Sequence, residues 1–268
     1  MRIKTGVKGL DELIEGGFIR NHIYLVAGPP GSGRTTLGIQ FLVQGAVENE
    51  KCLYVALTET PTNVIKNMSR FKFHLIDHVK QKHIFFMNAT EEIFEGISKK
   101  TGPKESEIFD LTAEPTHTKD LFDKIEPIIK KTGITRMVID STTALTFLTK
   151  SKESEAKQLA KYIHSIKQME VTTIILSENL GPYDYGFQHY LSNGIILLHH
   201  FPTAFESDLP RALQILKMRG TKHDIVLHPL VFTDNGLKLN PKIEPENRST
   251  TEKMERNEEN LEIEYNEE

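Results

Sequence analysis

A glycine-rich run that follows an apolar stretch and precedes a helical pattern has the clearest chemistry in this chain. It consists of Gly28, Pro29, Pro30, Gly31, Ser32, Gly33, Arg34 and Thr35, with Thr36 near the start of the predicted helix. In such a run, backbone N–H groups surround a phosphate and the helix N-terminus adds partial positive charge. The spacing fits G-x-x-x-x-G-K-[ST], whose hydroxyl coordinates Mg²⁺. We predict a nucleotide site here with Thr35 as a metal ligand; the alternative is a strand-to-helix turn without a ligand.

Arg34 stands where this pattern has lysine. The lysine ammonium is a compact charge, whereas the guanidinium of arginine is a wider planar fork. The fork keeps the charge and is able to bond two phosphate oxygens. Because the lysine position is a narrow space between phosphates, we predict weaker nucleotide binding or imperfect placement of the terminal phosphate.

Two carboxylates follow apolar runs at positions that suit phosphate chemistry. Asp140 ends the run at residues 136–141, and we expect it to orient Mg²⁺ from the strand next to the phosphate-loop strand. Glu59 follows the run at residues 51–58 and is the candidate for the group that activates an attacking water. The alternatives are an N-cap role for Asp140 and a first-turn helix acid for Glu59.

These side chains can meet only if the strands before them end at a common edge of one sheet. The sequence has the pattern of such a sheet. Short apolar runs rich in branched residues alternate with longer helical patterns, which predicts a mostly parallel central sheet flanked by helices. Two helices are predicted at residues 118–132 and 154–169, where apolar residues recur with helical spacing. The predicted strands are residues 22–28, 51–58, 83–89, 136–141, 172–177 and 193–200. The fold class is therefore α/β.

The pattern changes after residue 205. Strands are predicted at residues 211–218 and 224–232, and Asn235 with Gly236 before another apolar run favours a C-terminal β-hairpin. Residues 90–117 are irregular and charged, which predicts a loop. We expect one nucleotide-binding domain over residues 1–241. Residues 242–268 are expected to form an acidic, disordered tail, because they have too few apolar residues to offset the entropy of ordering.

Charge and composition narrow the class of protein. Residues 241–268 carry ten acidic and four basic residues, which leaves 27 acidic and 29 basic residues in the body. This small surplus gives no support for nucleic-acid binding. Cys52 is the single cysteine, and no apolar run approaches the roughly 18 residues that span a membrane. We therefore expect a cytoplasmic protein with no membrane contact and no structural metal.

From about residue 5 to residue 241 the chain resembles one domain of the KaiC family, a branch of the RecA superfamily of P-loop ATPases. Residues 5–17 are similar to the family's T-G-x-x-G-L-D-x-L-x-x-G-G segment, and residues 217–223 are similar to its K-x-R-G-x-x-H segment. The resemblance implies a RecA-like fold. It also implies that Lys217, Arg219 and His223 reach the nucleotide of a neighbouring subunit in a ring. The alternative for Lys217 and Arg219 is an exposed strand edge.

The family has a pair of glutamates after the second strand, and the resemblance implies that the first of them activates water. This chain has Thr58 at the first position and keeps only Glu59 at the second. Hydrolysis is therefore expected to be slow. Ser177 and Glu178 end the fifth predicted strand, where the family has a polar sensor segment.

The preferred hypothesis is an ATP-binding subunit of a homo-oligomer, expected to be a hexameric ring, with ATP and Mg²⁺ as cofactors. Its nucleotide state would control ring assembly or the binding of a protein partner. Two alternatives stay open at this point. One is a RadA-like recombinase paralogue that binds DNA, and the other is a sensor that binds ATP without hydrolysing it.

Overall fold

The computed structural model describes residues 1–89, 120–141, 152–178, 191–201 and 211–240. The predicted loop at residues 90–117 and the predicted tail at residues 242–268 lie outside the described residues. The strands in the described ranges are β1 (Arg2–Ile3), β2 (Phe18–Ile19), β3 (Ile23–Ala27), β4 (Lys51–Ala56), β5 (Ile84–Asn88), β6 (Ile134–Asp140), β7 (Thr172–Ser177), β8 (Gly194–His200), β9 (Arg211–Met218), β10 (His228–Thr233) and β11 (Gly236–Leu239). The helices there are α1 (Leu10–Leu13), α2 (Arg34–Val47), α3 (Pro61–Met68), α4 (Leu75–Lys80), α5 (Asp120–Thr132) and α6 (Lys152–Gln168).

Nine of these strands form one mixed sheet in the order β11-β10-β9-β8-β3-β7-β6-β4-β5. The six strands from β8 to β5 in that order are parallel, and β9, β10 and β11 pair antiparallel. We call the edge where the parallel strands end the carboxyl edge and the opposite one the amino edge. Because β9 runs against β8, it begins at the carboxyl edge and ends at the amino edge.

Helices cover both faces of the sheet, as its apolar strands require. On one face α2, α3, α4 and the C-terminal hairpin share a core with the first residues of the chain. On the other face α5 and α6 contribute the apolar stripes that the sequence predicts, including Ile125, Ile129 and Ile163. The α/β fold with a mostly parallel sheet and a C-terminal hairpin is therefore confirmed.

The observed strands differ from the predicted ones mainly at their ends. β6 begins at Ile134, two residues earlier than predicted. β10 begins at His228 instead of residue 224, because the Asp224 carboxylate accepts the backbone N–H of Val226 at 3.2 Å and contacts the His228 ring at 2.8 Å. A side chain that bonds its own backbone two residues on competes with strand pairing.

Arg136 of β6 fixes the far end of α2 over the sheet. Its side chain is 0% exposed, and it donates to the carboxylates of Glu48 and Glu50 that follow α2. It also donates to the backbone oxygens of Lys4, at 2.7 Å, and Phe41, at 3.2 Å. A buried cation is tolerated only with such partners, so this network holds α2, β6 and the N-terminal segment together.

Candidate functional site

The glycine-rich run forms a tight loop between β3 and α2. Gly31 has φ +76° and Gly33 has φ +105°, both in the left-handed region that favours glycine. A Cβ atom at Gly33 would lie 3.1 Å from Phe232 and from Leu237. These two glycines let the backbone turn tightly, and in such a turn N–H groups are able to approach an anion.

A cleft of ≈ 210 Å³ opens against this loop at the carboxyl edge. It is lined by Gly31, Gly33, Arg34, Thr35, Thr36 and Phe232. Helix α2 begins at Arg34, two residues before the predicted start. The first turn of α2 therefore forms the floor of the cleft, with its partial positive charge directed into it.

Thr35 and Asp140 meet beside this cleft. Thr35 Oγ1 donates to Asp140 Oδ2 at 2.9 Å, and the Tyr54 hydroxyl donates to the same oxygen. Burial raises the pKa of Tyr54 well above its ordinary value, and the neighbouring Asp140 raises it further. The phenol thus keeps its proton and remains a donor to the carboxylate.

Asp140 does not lie on the strand next to the phosphate-loop strand, so that expectation is wrong. β7 separates β3 from β6. Thr35 and Asp140 meet because helix α2 crosses over the sheet toward β6. A Cβ atom at Gly38 of α2 would lie 3.0 Å from Val138 of β6 and 3.4 Å from Leu176 of β7. This path brings the first turn of α2 above the end of β6.

Arg34 lies in the wall of the cleft with its side chain 13% exposed. Within the described residues, its Nη1 is buried without a hydrogen-bond partner, as is the hydroxyl of Ser32. Nη2 lies 3.9 Å from Glu178 Oε1. Burial lowers the pKa of Arg34, and Glu178 and Asp140 oppose that change. A nucleotide phosphate fits this set of donors, since buried polar groups require partners.

Glu59 lies at the same edge, just beyond the end of β4. The carboxylate is partly buried, and its Oε1 accepts a hydrogen bond from Asn67 Nδ2 at 3.0 Å. Helix α3 begins at Pro61 with Thr60 as its N-cap, so Glu59 precedes the first turn. Thr58, at the position of the family's first glutamate, is exposed.

Lys217, Arg219 and His223 lie at the amino edge, away from this cleft. Arg211 at the start of β9 donates to Gly31 O of the loop at 3.1 Å, whereas Lys217 lies six residues further along the strand. At roughly 3.3 Å per residue, this is about 20 Å. The structure therefore brings Thr35, Asp140, Arg34 and Glu59 to one edge and the segment at residues 217–223 to the other.

Lys217 lies on β9, but Arg219 does not. β9 ends at Met218, because Thr221 N donates to Met218 O at 3.3 Å and closes a turn that contains Arg219. The two cations are nonetheless close. Burial lowers the pKa of Lys217, and the charge of Arg219 lowers it further.

The family model described as "ATPase: KaiC" matches residues 3–244. The chain belongs to the KaiC family of ATPases. Its P-loop, α/β sheet and acidic strand end are the features of a RecA-like nucleotide-binding fold.

Relatives of this KaiC-family chain fall into two groups by length. It is 28% identical to the circadian clock oscillator protein KaiC of Synechococcus elongatus over 90% of the chain and 44% of that protein, so it spans less than half of the clock protein. It is 29% identical to a UPF0273 protein of Aeropyrum pernix, with 90% of this chain and 94% of that protein covered. A crystal structure of a KaiC-like protein of Pyrococcus horikoshii matches with a TM-score of 0.72 and 26% identity, over 90% of this chain and 99% of that one.

The KaiC-family site includes side chains that sequence reasoning missed. Tyr54 lies within an apolar run that predicts only a buried strand. Arg211 stacks over the Phe232 ring at 5.0 Å and bonds the loop, and His200 Nδ1 lies 3.5 Å from Pro30 O. Strand pairing brings these residues to the loop from positions far away in sequence, so no local pattern predicts them.

None of the described helices is long and apolar enough to cross a membrane.

Proposed function

We propose that this chain is an ATP-binding subunit of a ring, that it hydrolyses ATP slowly, and that its nucleotide state controls association with itself or with a protein partner. The observation that carries the proposal is the pairing of Thr35 with Asp140 at 2.9 Å beside the first turn of α2. A hydroxyl at the end of a P-loop and a carboxylate at the end of a nearby strand are the groups that hold Mg²⁺ against nucleotide phosphates.

Each group at the carboxyl edge has a defined role in this proposal. The backbone N–H groups of Gly31, Gly33 and Thr35 bind the β-phosphate, and the buried guanidinium of Arg34 bonds phosphate oxygens in place of lysine. Thr35 and Asp140 hold the metal, and Tyr54 orients the carboxylate. The Mg²⁺ that Thr35 and Asp140 would hold would supply positive charge against the charge that develops on the phosphate.

Glu59 is the proposed group that orients or deprotonates the attacking water. Its bond to Asn67 at 3.0 Å holds one carboxylate oxygen away from that task. Thr58, at the position of the family's first glutamate, has no carboxylate to help activate the water. The proposal of slow turnover is supported by these two features.

Ring assembly is supported by the position of residues 217–223. Lys217 and Arg219 are too far from the cleft of their own chain to act on a nucleotide there. Cations supplied by a neighbouring subunit stabilise the charge of a transferring phosphoryl group. We therefore assign Lys217, Arg219 and His223 to the nucleotide of the next subunit in a hexameric ring.

The test is steady-state ATP turnover of the purified protein, measured beside its mass by light scattering with and without Mg·ATP. We expect slow turnover and a ring that forms with Mg·ATP. A protein that stays monomeric at micromolar concentration with saturating Mg·ATP would contradict the ring. Failure to bind Mg·ATP would contradict the whole proposal.

A second candidate is a sensor that binds ATP without turnover. The contact between Arg34 and Glu178 at 3.9 Å favours it, because a guanidinium drawn toward this carboxylate lies less well between the phosphates. The same experiment separates the candidates, since a sensor assembles with Mg·ATP and releases no phosphate.

A further inference from the structure

The side chain of Arg2 joins the N-terminal segment to the turn after β9. Its Nη1 donates to the backbone oxygens of Ile14, at 3.1 Å, and Gly17, at 2.9 Å, and to Thr221 Oγ1 at 3.1 Å. Its Nη2 donates to Glu15 Oε2 at 2.8 Å and to Gly220 O at 3.4 Å. One guanidinium thus connects segments more than 200 residues apart in the sequence.

The N-terminal side of this connection is anchored in the core. Arg2 pairs with Ile19 in the ribbon of β1 and β2. Phe18 of that ribbon stacks on Tyr24 of β3 at 3.9 Å, and the Tyr24 hydroxyl accepts the N–H of Ile19 at 2.7 Å. The backbone of Arg2 is therefore held in place by the packing of the β1–β2 ribbon against β3.

On the other side of this connection, the turn carries Arg219 and leads to His223, the residues assigned to the nucleotide of the neighbouring subunit. Gly220 has φ +68° and follows Arg219 directly. The backbone oxygen of Thr221 lies 3.0 Å from His223 Nδ1. Arg2 binds the turn at Gly220 and Thr221, and so restrains the backbone between Arg219 and His223.

We propose that Arg2 is a positioning residue, which holds the turn at residues 219–223 so that Arg219 and His223 reach the nucleotide of the neighbouring subunit. This inference rests on the proposed function. An arginine suits the task because its planar fork presents several N–H donors in fixed directions. A lysine at this position would reach fewer of the acceptors.

The experiment compares Arg2→Met, Arg2→Lys and wild-type protein. We expect Arg2→Met to bind nucleotide as wild type does, to need about tenfold more ATP for half-maximal assembly, and to turn over about tenfold more slowly, because small displacements of a charged group are costly in transition states. Arg2→Lys should recover part of both losses. Glu15→Gln is the matched control and should behave as wild type, since it removes the exposed ion pair and leaves the bonds to the turn.

Mixed rings show in which subunit Arg2 acts. When Arg2→Met subunits are combined with Asp140→Ala subunits, some interfaces join the intact cleft of the first to the intact turn of the second. We expect turnover to recover at those interfaces. If Arg2→Met instead fails to fold, Thr221→Val removes only one acceptor and should show a smaller loss in the same direction.

The outcomes separate this inference from the proposed function. If Arg219→Ala impairs assembly or turnover and recovers in mixed rings while Arg2→Met and Thr221→Val behave as wild type, only the role of Arg2 is wrong. A loss in Arg2→Met that does not recover in mixed rings also overturns that role, because it places the defect within one subunit. If Arg219→Ala has no effect, the action between subunits is wrong, and the role of Arg2 falls with it.

Discussion

The two edges of the sheet differ in whether the candidate nucleotide-site residues at that edge contact one another within a single chain. At the carboxyl edge, Thr35, Asp140 and Tyr54 already bond to one another around the loop. At the amino edge, Lys217 donates to Ser192 O at 2.8 Å, and Arg219 lies in an exposed turn. The candidate phosphate site lies at the first edge, and the cations Lys217 and Arg219 lie at the second, away from that cleft.

Residues of one chain that lie far apart are therefore still able to act on one nucleotide when copies of the chain assemble. A fold with a candidate phosphate site at one edge and a restrained cationic turn at the other is suited to side-by-side association of several copies. In the proposed ring, each copy would complete the site of the next. The predictions below test whether the two edges act on one nucleotide.

Arg219→Ala should have the largest effect and should act at the amino edge alone. We expect turnover to fall on the order of 10³-fold, the scale of a cation that stabilises phosphoryl transfer from a neighbouring subunit. Nucleotide affinity should change little, because such a donor favours the transition state over the ground state. Initial-rate kinetics and calorimetric ATP titration measure the two quantities.

Mixing provides the control for this prediction. Arg219→Ala subunits and Asp140→Ala subunits are each expected to be inactive, and mixed rings should regain part of the wild-type rate. No recovery in rings shown to contain both variants would mean that Arg219 acts within its own chain or not at all.

Thr35→Ala tests the carboxyl edge. We expect Mg·ATP affinity to fall on the order of 100-fold, since the change removes a metal ligand and a bond to Asp140. Affinity for ATP without metal should change far less, and calorimetry with and without Mg²⁺ separates the two. Undiminished Mg·ATP affinity would count against the whole site.

Tyr54→Phe sharpens the assignment by removing only the phenol oxygen. The aromatic packing of this buried residue stays, while Asp140 loses a hydrogen bond from a fixed donor. We expect the Mg²⁺ concentration for half-maximal ATP binding to rise about tenfold, the scale of a lost partner of a metal-binding carboxylate. An unchanged Mg²⁺ requirement with native thermal stability would show that Tyr54 only fills space.

The fold was largely predictable from the sequence, because apolar periodicity and glycine spacing are local signals. The loop, the strands and the Asn235–Gly236 turn all follow from them. Contacts across the sheet were not predictable: β7 between β3 and β6, the phenol of Tyr54 on Asp140, and the bonds from Arg2 to Gly220 depend on strand order. The short ribbon of β1 and β2 also escaped prediction, since two-residue strands show no alternation.

Arg34→Lys should have the smallest effect. It tests whether arginine in place of the usual P-loop lysine slows turnover. A lysine ammonium fits between phosphates better than the guanidinium, but it gives up the second bond of the fork. We expect turnover to rise by about two- to fivefold if the fork displaces the terminal phosphate, with ATP affinity nearly unchanged. Arg34→Gln is the matched control, because it removes the charge and should weaken binding in either case. A fall in turnover for Arg34→Lys, measured in rings of wild-type mass, would mean that this chain uses both arms of the guanidinium. The carboxyl edge would then be adapted to arginine, and slow turnover would be assigned to Thr58 and to the hold of Asn67 on Glu59.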